Sequence, residues 1–171
     1  MNSAQLRELQ TPLKDSYSVD PAQAIADLEA SGTIDCSNLT CKVHTPAAAD
    51  QSTLSGLHPK AGGSGLEACS GDMLLQSLVA CSGVTFAAVS SAMELQITSA
   101  EILAKGQMDF RGTLGIDRNT PVGLTSIALG FKVESPEPSE KIDKLIQLTE
   151  RYCVVLQTLS RGVEVTSHRM G

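Results

Sequence analysis

The sequence predicts an α+β fold, with two long helices packed against β-sheet, and three observations carry that reading. Met73 to Met93 runs for 21 positions without a charged residue, too long for a strand and suited to a buried helix. A second helical pattern starts at Ser139 and continues to Gly162. Strand-like segments lie in groups before and between these helices, without the βαβ repeat of a parallel sheet.

The bulk numbers fit a globular chain. At 171 residues, 42% hydrophobic and 19% charged, it is large enough to bury a core and too apolar for disorder. We read residues 1–19 as an N-terminal arm and 20–171 as a single domain. Trp is absent and Phe and Tyr total five, so Leu, Val, Ile, Ala and Met must fill the interior. A net charge of −6 argues against nucleic acid or an anionic membrane surface as partner. No basic segment followed by an apolar one opens the chain, which predicts a cytoplasmic protein. Its five cysteines are then expected as free thiols, metal ligands or redox groups rather than structural bridges. The stretch 73–93 could span a bilayer by length. However, it contains Gln76, Ser77, Ser82, Thr85, Ser90 and Ser91, and Asp72 and Glu94 flank it where anchoring Lys or Arg would be expected. A core helix buried on all sides is the better reading.

In order along the chain, residues 1–19 carry weak signals, with a short helix around Leu6 and Leu9. Asp20-Pro21-Ala22-Gln23 reads as a helix start, Asp capping and Pro at the first helical position. Ile25 and Leu28 form its apolar stripe and Gly32 its end. Residues 33–44 read as one strand through Ile34, Leu39 and Val43. Residues 45–71, punctuated by Pro46, Gly56, Pro59, Gly62, Gly63, Gly65 and Gly71, read as loop with at most a short strand. The first long helix covers 72–95. Strands near 97–110 and 123–134 flank the turn-rich Gly115–Pro121 and form a hairpin. Pro136 and Pro138 close it and Ser139 caps the second helix. There Ile142, Leu145, Ile146, Thr149, Cys153, Leu156 and Ser160 follow the i, i+3, i+4 rule, placing Cys153 on the buried face. Val163-Glu164-Val165-Thr166 reads as a last strand.

Gly71-Asp72-Met73-Leu74-Leu75-Gln76-Ser77-Leu78-Val79-Ala80-Cys81, followed some seventy residues later by Glu150-Arg151-Tyr152-Cys153-Val154-Val155, resembles the paired cysteine helices of the OsmC/Ohr family (osmotically inducible and organic-hydroperoxide-resistance proteins). The resemblance covers roughly 55–167, and Gly62-Gly63 is similar to the family's glycine-rich approach to the first helix. It implies an OsmC-like fold, an intertwined homodimer with composite sites, and reduction of organic hydroperoxides. Cys81 would attack the peroxide, Cys153 would resolve the sulfenic acid, and a dithiol reductant would restore both thiols. Asp72, Glu150 and Arg151 are carried as accessory site residues. Cys36, Cys41 and Cys69 have no counterpart in the motif.

Three positions depart from the family pattern. The hydroperoxide-reductase branches place a Glu ten residues before the first Cys; Gly71 stands there, with Asp72 next. Their partner Arg has no clear equivalent, Arg7 being the only Arg upstream of Cys81. The Pro that often follows the second Cys is Val154. The missing Arg matters because acidifying a thiol is a weak lever. Lowering its pKa from about 8.5 to about 6 gives about thirtyfold more thiolate at neutral pH, yet the loss of nucleophilicity leaves a net gain of about twofold. Stabilising the departing alkoxide must supply the rest, and Arg111, Arg151 and His58 are the candidates.

Structural readings stand beside these. Either Cys can be simple packing, Asp72 a helix cap, Glu150 and Arg151 a solvated face, and His58 a loop residue. A metal site is not expected, since Cys36 and Cys41 on one strand would face opposite sides and no Cys-x-x-Cys or His-x-x-x-His pair occurs. Nor does Gly62-Gly63-Ser64-Gly65 have the register of a nucleotide-binding loop, so no cofactor is expected. Two functions stay open: a thiol peroxidase, or a non-catalytic protein of this type that binds a small apolar ligand or senses oxidants.

Overall fold

The computed structural model describes residues 2–45 and 51–171; Pro46, read above as a loop residue, lies outside them. Helix α1 (Ser3–Val19) opens the chain, longer than the short helix expected, and buries none of its residues. Helix α2 (Ser70–Ala92), strands β5 (Ser99–Met108) and β6 (Leu124–Glu134), and helices α4 (Ser139–Tyr152) and α5 (Val154–Arg161) follow the predicted order. A short helical turn, α3 (Phe110–Thr113), separates β5 from β6. The fold is a mixture of helix and sheet, as predicted.

The structure corrects several local expectations. Asp20 does cap, its carboxylate accepting from the Ala22 N–H at 3.2 Å, but only a 3-10 turn (Pro21–Ala24) follows. Ile25 and Leu28 face solvent, so no tertiary contact carries the helix onward, and helices this short depend on such contacts. Gly32 lies within strand β1 (Ser31–Asp35). A Cβ there would meet Cys41 Sγ at 2.7 Å, which explains the glycine without a helix end.

The single strand expected at 33–44 is a hairpin, β1 paired antiparallel with β2 (Thr40–His44). Asp35 makes the reversal, accepting from the N–H groups of Ser37 (2.9 Å) and Asn38 (3.2 Å) and from Asn38 Nδ2 (2.7 Å), an Asx-turn. Strands β3 (Ser52–Gly56) and β4 (Ala68–Cys69) extend the sheet in the order β1-β2-β3-β4, so the presumed loop supplies two strands. Gly63 is obligatory there, since a Cβ would sit 1.6 Å from the Leu57 carbonyl oxygen.

Ser139 is the first residue of α4 rather than its cap, Pro138 taking that position without a side-chain bond. The second long helix is broken at Cys153, whose φ −72°, ψ 109° backbone is extended. Its N–H closes α4 on the Thr149 carbonyl (2.9 Å) and its own carbonyl accepts from Gln157 to open α5 (3.0 Å). Gln157 Nε2 covers the Glu150 carbonyl at 2.9 Å, one of those a helix end leaves unpaired. Residues 163–166 form no strand, and Val163 and Val165 are exposed. Alternation alone does not make a strand without a ladder partner.

The chain divides into two compact units: Met1–Gln10 with Ser77–Leu103 and Leu129–Gly171, and Thr11–Gln76 with Ala104–Ala128. The first holds the core. Leu78, Ser82 and Phe86 from α2 are buried there with Leu145, Thr149 and Cys153, and Phe86 stacks on Phe131 with centroids 6.1 Å apart. The stripe Leu145–Thr149–Cys153 is the predicted buried face. α2 was expected to be buried all round; within one chain only the Leu78–Ser82–Phe86 face is, and Val84 is 74% exposed.

Candidate active site

The break at Cys153 builds the site. An unbroken helix would turn the amides after Cys153 onto carbonyls four residues back. Restarting at Val154 frees the first N–H groups of α5, and two of them point at Cys81. Burial alone would push the Cys81 thiol up. Hydrogen bonds from the Val155 N–H, the Cys153 thiol, the Val154 N–H and the Thr85 hydroxyl outweigh it and hold the thiol below its ordinary range. Donors converging on one sulfur favour its anionic form.

Cys81 is half-buried and Cys153 fully buried, both free thiols. Cys153 Sγ takes part in three interactions. It lies within hydrogen-bonding reach of Cys81, accepts from the Leu156 N–H at 3.5 Å and lies 3.3 Å from Ser82 Oγ. The structure therefore brings together Cys81 and Cys153, one thiol accessible and one sealed beside it.

The accessory residues are placed elsewhere. Glu150 and Arg151 are exposed, Arg151 lying over the Tyr152 ring at 5.4 Å from its centroid. Neither is a partner of Cys81 among the contacts described. Arg7 is paired with Glu94 at 3.2 Å and Arg111 with Asp109 at 2.6 Å. Asp72 lies in the first turn of α2, on the wall of a cavity of about 720 Å³ lined also by His58, Cys69, Leu75, Phe110 and Arg111. His58 stacks on Phe110 at 4.7 Å and accepts from the Lys60 N–H. A second cavity, of about 410 Å³, is mostly apolar, between Val79, Gly83, Phe86 and Ser90 of α2 and Ile97, Ala100 and Ile102.

Sequence reasoning missed four contributors: the amides of Val154 and Val155, and the hydroxyls of Thr85 and Ser82. The amides carry no residue-type signature. Thr85 and Ser82 were read only as polar interruptions of an apolar helix. One signal was present, the position after the second Cys where related proteins often carry Pro. Pro favours the first residue of a helix, so that habit marks a helix start directly after the cysteine.

The fold of mixed helix and sheet has solved counterparts. An OsmC-like protein from Mycoplasma pneumoniae is 19% identical, with 81% of this chain and 89% of that one covered and a TM-score of 0.65. Organic hydroperoxide resistance proteins from Elizabethkingia anophelis and Legionella pneumophila are each 14% identical with TM-scores of 0.62. Each covers 81% of this chain, against 90% and 91% of their own. These likenesses establish the fold, that of the OsmC/Ohr structures. Residues 62–168 match the family of OsmC-like proteins, and the chain belongs to it. No curated protein matches the chain.

Proposed function

We propose that the protein is a cytoplasmic, homodimeric thiol peroxidase that reduces organic hydroperoxides. The observation that carries this reading is the Cys81 sulfur, half-exposed, held by three donors from the Cys153–Val155 corner and one from Thr85. In the first step the Cys81 thiolate attacks the terminal peroxide oxygen. The O–O bond breaks, Cys81 becomes a sulfenic acid, and the alkoxide takes a proton from water. In the second, Cys153 Sγ attacks Cys81 Sγ, the S–O bond breaks, and the Cys153 proton leaves with the hydroxyl as water. A dithiol reductant restores the pair by exchange.

Stoichiometric cumene hydroperoxide followed by peptide mass spectrometry tests this. The expected product is a Cys81–Cys153 disulfide. Cys81→Ser is expected to consume no peroxide. Cys153→Ser should stop at a Cys81 sulfenic acid that climbs to sulfinic acid under excess oxidant. Free thiols at both positions after peroxide has been consumed would sink the mechanism. The apolar cavity beside Val79 and Phe86 favours a second reading, a binder of small apolar ligands without turnover. A protein that binds an alkyl ligand yet leaves hydroperoxide intact would establish it.

A further inference from the structure

We infer that Ser82 is a positioning residue for the resolving thiol, its hydroxyl donating to Cys153 Sγ and, with the Leu156 N–H, holding that sulfur beside Cys81. The inference rests on the peroxidase reading for its role in turnover, while the contact itself rests on geometry. Ser82 and Cys153 are both fully buried and their Oγ and Sγ lie 3.3 Å apart. At that distance either atom can be the donor. The hydroxyl is the stronger donor of the two, and Cys153 Sγ already accepts from the Leu156 N–H at 3.5 Å, so we assign the donor role to Ser82.

Three other helical hydroxyls show what Ser82 does differently. Ser90 donates to the Ala87 carbonyl, Thr149 to Leu145 and Ser160 to Leu156, the usual back-bond of a Ser or Thr within a helix. Ser82 instead meets a sulfur 71 residues away in sequence. Thr85, on the same helix, serves Cys81, so α2 offers one hydroxyl to each sulfur.

In the resolving step Cys153 gives up its proton as it attacks. The S–S bond forms, the S–O bond of Cys81 breaks, and the proton leaves with the hydroxyl as water. Negative charge develops on Cys153 Sγ during that transfer. Two fixed donors aimed at it, Ser82 Oγ–H and Leu156 N–H, strengthen as the charge grows. Because the site is sealed, water cannot replace the one that is lost.

Dithiodipyridine separates the two sulfurs without any peroxide. In protein with Cys36, Cys41 and Cys69 replaced by Ser, Cys81 attacks the reagent and releases a first thiopyridone. Cys153 then attacks the mixed disulfide, expels a second and loses its proton to solvent. Ser82→Ala is expected to slow the second release about tenfold, the loss of one hydrogen bond to a charged group, and to leave the first within about twofold. Thr85→Val should do the reverse. Ser82→Cys, of similar volume but a weaker donor, should fall between wild type and Ser82→Ala in the second phase. Wild-type rates for both phases in Ser82→Ala would overturn the inference. So would an equal slowing of both, which a general loosening of the core would give. If the wild type fails to reduce hydroperoxide, the peroxidase reading falls while the two phases still report on Ser82.

Discussion

At the residue scale the chemistry turns on which N–H groups α5 leaves free. A Pro at 154 would keep the helix start, because Cys153 is already extended, as the residue before Pro must be. It would remove one of the donors to Cys81. Val154 thus adds a backbone donor at a position where related proteins often have none, in a chain whose Arg7, Arg111 and Arg151 are engaged elsewhere. Val154→Pro is therefore expected to fold with stability within about 1 kcal/mol of wild type and to lower Cys81 alkylation at neutral pH about threefold. Alkylation rates across pH should show the midpoint moving up toward the ordinary thiol range; an unchanged profile would show that the Val154 amide contributes nothing. The linkage has a definite sign. Since the folded Cys81 is the stronger acid, its contribution to stability is complete above the unfolded thiol's pKa. It is lost as pH falls through the lowered one. Both sulfurs could be found through the resemblance of their two helices to the OsmC/Ohr pattern. Their donors could not, because amides have no signature and the Ser82 partner is set by tertiary packing.

At the scale of elements, α4 and α5 work as a buried stripe ending in a corner. Leu145 is 0% exposed one turn before Thr149, whose hydroxyl is satisfied by the Leu145 carbonyl at 2.8 Å. Leu145→Ala should cost about 2–5 kcal/mol, read as a lower urea midpoint, whereas Arg151→Ala on the exposed side should stay within about 0.5 kcal/mol. Equal midpoints for both variants would contradict the burial. Elements with long, strongly periodic patterns could be read from sequence: α2, β5, β6 and the stripe from Ile142 to Cys153. Those decided by turn chemistry or by partners could not. Asp35 ends β1 through its own side chain, which hydrophobic alternation cannot register. Gly32 looks the same whether it ends a helix or accommodates Cys41. The corner at Cys153 interrupts a pattern that stays in phase on both sides, so periodicity runs straight through it.

At the scale of the whole molecule, α2 keeps an apolar face that its own chain does not cover, with Val84 74% exposed. Ala80, Val84 and Ala87 are all exposed at the i, i+4, i+7 spacing of one helical face. They lie opposite the buried Leu78–Ser82–Phe86 stripe, and two of the three are small enough for another helix to approach closely. α2 meets the length and composition of a membrane span, but its Leu78–Ser82–Phe86 face is buried in the core, and the proposed homodimer would lay a second copy of the chain over the opposite strip. The protein is therefore expected to sediment at twice 17.9 kDa at micromolar concentration. Val84→Arg would bury an unpaired charge in that contact, at a cost of several kcal/mol, and should yield monomer or loss of solubility. Lys132→Glu, 71% exposed on the side chain, should leave the dimer intact. Wild-type protein that sediments as a stable monomer at that concentration would refute the dimer and leave the apolar strip of α2 without its cover.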